Sequence, residues 1–180
     1  PVREAIQMLE AQKLIVVFPN KATVVSENDV TNLEKWYLPL AHLHALAAEL
    51  ACQNIQDGQL AELRRIDAQI MVYVRQNDLI NSLREDLRFH NEILAIANNE
   101  FITEFSDTLI AHIQRFEYSF FSQTGYSIKN FNPHDHLLDT FEKRDGKAAY
   151  DEMKENWLSN MNRYRKILTD QNGALLTWNK

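Results

Sequence analysis

Asp86 and His90 stand four residues apart in the run Asp86-Leu87-Arg88-Phe89-His90. On a helix this spacing puts both side chains on one face, one turn apart. Leu83, Ile93 and Ala97 share that face, so it reads as pointing inward. A buried carboxylate and imidazole need partners. A divalent metal is one such partner, because it takes neutral imidazole nitrogen and carboxylate oxygen well. A plain Asp–His hydrogen bond is the other, and spacing alone does not separate the two. Arg115 is a candidate donor to an anion, or a surface residue paired with Glu117 or Glu104. His42 and His44 flank an apolar face, and His112 adjoins Ile113; each alone reads as structural. Phe101, Phe105, Phe116, Tyr118, Phe120, Phe121 and Tyr126 read as core or subunit interface. Lys and Arg do not interleave with them, which argues against base stacking.

The elements that must hold these residues are helices. Apolar spacing predicts one over about 29–53, with Leu33, Trp36, Tyr37, Leu40, Leu43, Ala47 and Leu50 on its face. Pro39 inside it should kink or split it. Asp57-Gly58 punctuates, and a second helix follows over 59–75. Asn77-Asp78 caps a third over 78–97, and Asn98-Asn99 breaks it and caps a fourth over 100–122. Ser122 to Asn132 reads as a polar loop. Pro133 starts a fifth helix ending near Lys143, Asp145-Gly146 turns the chain, and a last helix covers 147–170. The end from Asp170 to Lys180 reads as a fraying or wrapping tail. No strand pattern follows residue 26, so the body is expected to be an all-α, antiparallel bundle of six to seven helices.

The first 26 residues differ. Val2, Ala5, Ile6 and Leu9 fall at helical spacing, followed by the β-branched run Ile15-Val16-Val17-Phe18, a turn at Pro19-Asn20-Lys21, and a second strand from Ala22 to Val25. A helix followed by a small hairpin is the back half of a winged helix, and the chain begins with Pro1, inside such a unit. Two domains are expected: 1–26, the end of a winged helix, and 27–180, an all-helical body. The formal net charge of -6 would by itself argue against nucleic acid. Its distribution does not: Arg3, Lys13 and Lys21 against Glu4 and Glu10 leave the head non-acidic, so the body carries the acid. The 180 residues hold one full domain and a fragment. One cysteine, Cys52, rules out an internal disulfide and fits a reducing cytoplasm. No apolar run could span a bilayer, and no signal peptide is visible.

The run Pro1-Val-Arg-Glu-Ala5 and the hairpin after it resemble the recognition helix and wing of GntR-family bacterial transcription regulators. Residues 27–170 resemble the FCD effector domain of the FadR subgroup, on Asp86-Leu-Arg-Phe-His90, Ala95-Ile-Ala-Asn-Asn99, His134, Arg144-Asp145 and Ala148 to Met153. The resemblance implies that Asp86 and His90 bind a metal with two further histidines. His134 matches the first of these; His136 is close but points elsewhere. The second falls on Asn156, where this sequence departs from the family, and Asn is a weaker, harder donor. The implied set is Asp86, His90, His134 and Asn156, holding a divalent ion of the zinc, nickel or manganese class less tightly than the relatives do. The metal would form the floor of a pocket for a small organic acid rather than a catalytic centre. The family's anchoring Arg falls on Leu40 and its acidic partner on His44, so Arg115 and His44 become the effector-binding candidates. The implied DNA contacts are Arg3 in the major groove and Asn20 and Lys21 at the wing tip.

These residues point to a ligand-responsive regulator, homodimeric, cytoplasmic and not an enzyme, with operator DNA and a small effector as partners. The competing class is a metal-dependent helical enzyme using Asp86, His90 and His134. It would need a general base beside the metal, and no Glu stands at a defined spacing for that. A ligand-free helical scaffold is the third class.

Overall fold

The computed structural model describes residues 1–19, 21–27, 33–124 and 134–170. Among them, helix α1 (Val2–Ala11) leads into a two-stranded antiparallel hairpin, β1 (Ile15–Val17) and β2 (Thr23–Val25). The register pairs Ile15 with Val25 and Val17 with Thr23. The junction from α1 is a left-handed stop: Lys13 takes φ 60°, and Leu14 N–H reaches back to Leu9 O at 2.9 Å. No residue of α1 is buried, and Val2 and Met8 are 74% and 64% exposed.

Six helices follow: α2 (Leu33–Asn54), α3 (Asp57–Gln76), α4 (Leu79–Ala97), α5 (Glu100–Thr124), α6 (Asp135–Glu142) and α7 (Gly146–Asp170). The caps explain most of their ends. Asp78 Oδ1 accepts from Asn81 N–H and opens α4, Asn99 Oδ1 accepts from Ile102 N–H and opens α5, and Asp145 Oδ1 accepts from Ala148 N–H in the first turn of α7. Asn77 and Asn98 close α3 and α4 in the left-handed region. The expected start of the 29–53 helix before Leu33, the loop beyond Thr124 with Pro133, and the tail after Asp170 lie outside the described residues.

Two expectations are corrected. Pro39 does not split α2, which runs through it as one helix. Lys35, whose carbonyl loses its partner to the proline, is exposed and can use water instead, while Tyr37, Leu40 and Ala41 anchor the helix on its other side. Asp57-Gly58 does not precede α3 but forms its first turn, fixed by the reciprocal bonds of Gln56 and Gln59.

α2 is the axis of the bundle and packs against α4, α5 and most extensively α7. Ala41, Ala45, Ala48 and Ala51 are fully buried along it, so neighbouring helices approach closely. No helix among the described residues is long and apolar enough to cross a membrane.

Candidate metal centre and effector cavity

On α4, the apolar stripe that buries Phe89, Ile93 and Ala97 also carries Asp86 and His90 inward. α6 begins at His134, which its position as N-cap places against the same face of α4. One ligand atom each of Asp86, His90 and His134 falls within 4.8 Å of the others. His134 Nε2 stands 3.4 Å from Asp86 Oδ1, and His90 Nε2 stands 3.9 Å from Asp86 Oδ2. The second separation is too long for a hydrogen bond, and it suits groups gathered around a common centre.

A fourth residue, Asp67, holds the site from behind. It lies on α3, and its Oδ1 accepts from His134 Nδ1 at 2.8 Å and from the His134 backbone N–H at 3.2 Å. A proton on Nδ1 leaves the Nε2 lone pair facing Asp86 and His90. Phe89 stacks on the same imidazole, with ring centroids 4.1 Å apart, and fixes its plane. Sequence reading missed Asp67. Its signal was available: Asp67 interrupts the apolar stripe Leu63, Ile66, Ile70 and Val74, where a carboxylate needs a buried partner.

The electrostatics favour a cation. Burial, with the charges of His134 and His44, holds His90 well below its usual range, so it is a neutral donor. Burial pushes the Asp86 carboxyl up to about 6; His134 opposes this rise and Asp67 adds to it. A divalent ion would relieve the desolvation of Asp86 and use the lone pairs of both imidazoles. The residues present therefore fit a metal of borderline softness.

Asn156 and the residue after it face differently. Asn156 lines an outer cleft of about 440 Å³, together with His134, His136, Glu152 and Glu155. Trp157 is the residue that α7 turns onto the site, with its ring 4.6 Å from His90 and 5.2 Å from His44. His44, from α2, is 1% exposed and 5.5 Å from His90, and among the described residues neither of its ring nitrogens has a hydrogen-bond partner. Burial lowers its pKa to about 3.

Beside Asp86, between α4, α5 and α7, lies an inner cavity of about 20 Å³. Asp86, Glu117, Gln114 and Trp157 supply its polar wall, and Leu87 and Ile113 are among its apolar lining. Glu117 Oε1 accepts the hydroxyls of Tyr37 and Tyr164, both at 3.1 Å. Burial, and then the charge of Asp86, push the Glu117 carboxyl up to about 7 against the pull of those two hydroxyls. Sequence reading offered Glu117 only as a partner for Arg115. Arg115 instead turns to the head: it donates to Ser26 Oγ at 3.0 Å and to the Ser26 carbonyl, and is not among the residues lining the cavity. His112, one turn earlier on α5, bonds Gln12 O at 2.8 Å through Nε2 and stacks on Trp36.

The head residues stand apart from this site. Arg3, on α1, and Lys21, in the turn of the hairpin, are both exposed, and Asn20 lies outside the described residues. Of the aromatic group, Phe116, Phe120 and Phe121 are buried, whereas Phe101 and Phe105 are 61% and 60% exposed.

With this geometry in view, the comparisons place the chain. The family model of the FCD domain matches residues 40–157, and the chain belongs to that family. No curated protein matches it in sequence. Its fold is shared with solved GntR-type structures. McbR/YncC of E. coli superposes with a TM-score of 0.79 at 19% identity, over 91% of this chain and 83% of that one. A GntR-family transcriptional regulator from Pseudomonas syringae pv. tomato gives 0.61 at 21% identity, over 96% and 72%. Lar of Listeria monocytogenes, described as controlling expression of the agr system, gives 0.67 at 15% identity, over 92% and 79%.

Proposed function

We propose that this chain is the effector-sensing part, with the end of the DNA-binding head, of a homodimeric transcription regulator of the GntR type. The observation that carries this reading is the convergence of Asp86, His90 and His134, with Asp67 behind them, beside an inner cavity of an FCD bundle. A divalent ion held by these three residues, with Asn156 as a weaker fourth donor, would supply Lewis acidity to the carboxylate of a small organic acid. His134 is aimed by Asp67, His90 stays neutral, and the packed rings of Phe89 and Trp157 exclude bulk water. Effector binding would shift the two heads of a dimer between arrangements of different operator affinity. Arg3 would read the major groove, with Asn20 and Lys21 on the backbone or minor groove.

Elemental analysis beside Asn156→His tests the metal. About one equivalent in the unaltered protein supports the site as it stands. Metal only in Asn156→His means that the site has decayed. Metal in neither overturns the metal floor. Operator binding in a gel-shift assay tests the regulator reading, and Arg3→Ala should weaken it by about 1–3 kcal/mol.

One observation favours the enzymatic alternative: Glu117, with its carboxyl near neutrality, faces the same cavity as Asp86. It is engaged by two tyrosine hydroxyls in a space the size of one water, which suits recognition better than turnover. Metal-dependent hydrolysis of ester substrates, lost in both His90→Ala and Glu117→Gln, would reverse that preference.

A further inference from the structure

The inner cavity is unsuited to a carboxylate. Two acids, Asp86 and Glu117, face it, and no Lys or Arg is among the residues lining it. An anion placed there would meet like charge in a desolvated site. Its volume, about 20 Å³, holds one water-sized group. A primary ammonium group is of that size and carries three N–H donors.

The acceptors match such a group. Both tyrosine hydroxyls bond Glu117 through Oε1, and among the described residues no hydrogen bond reaches Oε2. The Asp86 carboxylate lines the same space, and the Gln114 amide adds a third oxygen. A second, independent sign of a missing occupant is the wall residue Trp157. It is 6% exposed, and among the described residues its indole Nε1–H has no acceptor. A buried donor left unpaired costs about 1–3 kcal/mol; an ammonium has no acceptor to offer it, so the oxygen that would offset this cost belongs to the effector's other end, on the His90 side where the Trp157 ring lies. Leu83, Leu87, Ile110 and Ile113 surround the polar groups with apolar surface.

We propose that the effector carries a protonated primary amine, seated in this cavity against Glu117 and Asp86, so that it belongs to the amino acids with apolar side chains rather than to simple organic acids. This rests on the ligand-responsive reading above and deepens it. The amine end lies on the Glu117 side of Asp86 and the carboxylate end on the side of His90 and His134.

The test is calorimetric titration of the whole chain, with and without one equivalent of zinc. The probes are L-leucine, L-isoleucine, L-methionine and L-phenylalanine, each paired with its 2-hydroxy acid. At least one amino acid is expected to bind about tenfold or more tighter than its hydroxy acid, the amount set by one charge-assisted hydrogen bond. Glu117→Gln, of the same shape, should remove that preference. Hydroxy acids binding as well as their amino acids, or no amino acid binding at all, overturns the proposal, and neither result needs a variant to fold. Preference for amines that persists in Glu117→Gln overturns it as well. Amine binding that depends on Glu117 but not on zinc would uphold the proposal while removing the metal floor.

Discussion

Asp67 on α3 binds His134 twice, at Nδ1 and at the backbone N–H, and so ties the start of α6 to the far side of the Asp86–His90–His134 cluster. The bond decides which imidazole nitrogen is free to act as a ligand. Asp67→Asn keeps the shape and offers an amide in place of the carboxylate, so the preference for a proton on Nδ1 weakens. Zinc affinity should then fall by about 10–100-fold with little change in helicity. Competition titration against a chromophoric chelator, read beside circular dichroism, measures both. Unchanged affinity would mean that Asp67 serves only to cap α6.

Helical spacing made the bundle legible, because each helix carries its own stripe and the asparagine and aspartate caps are local. The Asp86–His90 pair was legible for the same reason. What joins α4 to α3, α5 and α6 was not. Asp67 and Glu117 each look like ordinary helical acids until tertiary packing buries them against His134 and against Tyr37 and Tyr164. Arg115 was offered as a replacement for the family's anchoring Arg, which falls on Leu40, or as a surface partner of Glu117 or Glu104; the register of α5 turns it to Ser26. The position matched to the family's last histidine was set by counting along α7, where a shift of one residue rotates a side chain by about 100°. Asn156 shares the outer cleft with His134, and Trp157, one residue on, packs on His90.

Glu117 should make the metal-free protein less stable as pH rises. Its carboxyl titrates near 7 when folded, against an ordinary 4.5. Between those values the folded chain holds a proton that the unfolded chain has lost. The stabilisation is therefore complete below pH 4.5, declines up to about 7, and is gone above it. The slope from this one group is at most about 1.4 kcal/mol per pH unit. Glu117→Gln has no such titration, so its melting temperature with chelator present should exceed that of the unaltered protein at pH 8, with little difference at pH 5. Parallel profiles for the two proteins would remove Glu117 as the source.

The exposed aromatic rings of α5 are where a contact of the proposed dimer is expected. Phe101 and Phe105 lie one turn apart on α5, both about three-fifths exposed, and Phe105 borders a surface groove lined also by Leu46 and Leu43. A charge there would have to be desolvated on association. Phe105→Glu should shift the chain from dimer to monomer in analytical ultracentrifugation while leaving the helical signal intact. A dimer that survives the change places the interface elsewhere.

The cavity and the head touch one and the same helix. Ile113, Gln114 and Glu117 of α5 line the cavity, while His112 and Arg115 of the same two turns hold Gln12 and Ser26. The proposed coupling would use this stretch: a ligand that displaces Glu117 or Gln114 would shift it, and the bonds to Gln12 and Ser26 would pass the shift to the head. Arg115→Ala cuts the link to Ser26 without touching the cavity wall. Effector affinity should stay within about twofold, since the residue lies outside the lining and distant changes add independently. The effector-dependent change in operator affinity, in contrast, should shrink, because coupling requires both sites to bias one element. Gel-shift titrations with and without effector, on the unaltered and Arg115→Ala proteins, give the coupling directly. Equal coupling in the two would mean that the head responds through another contact, with His112 and Gln12 the next pair to cut.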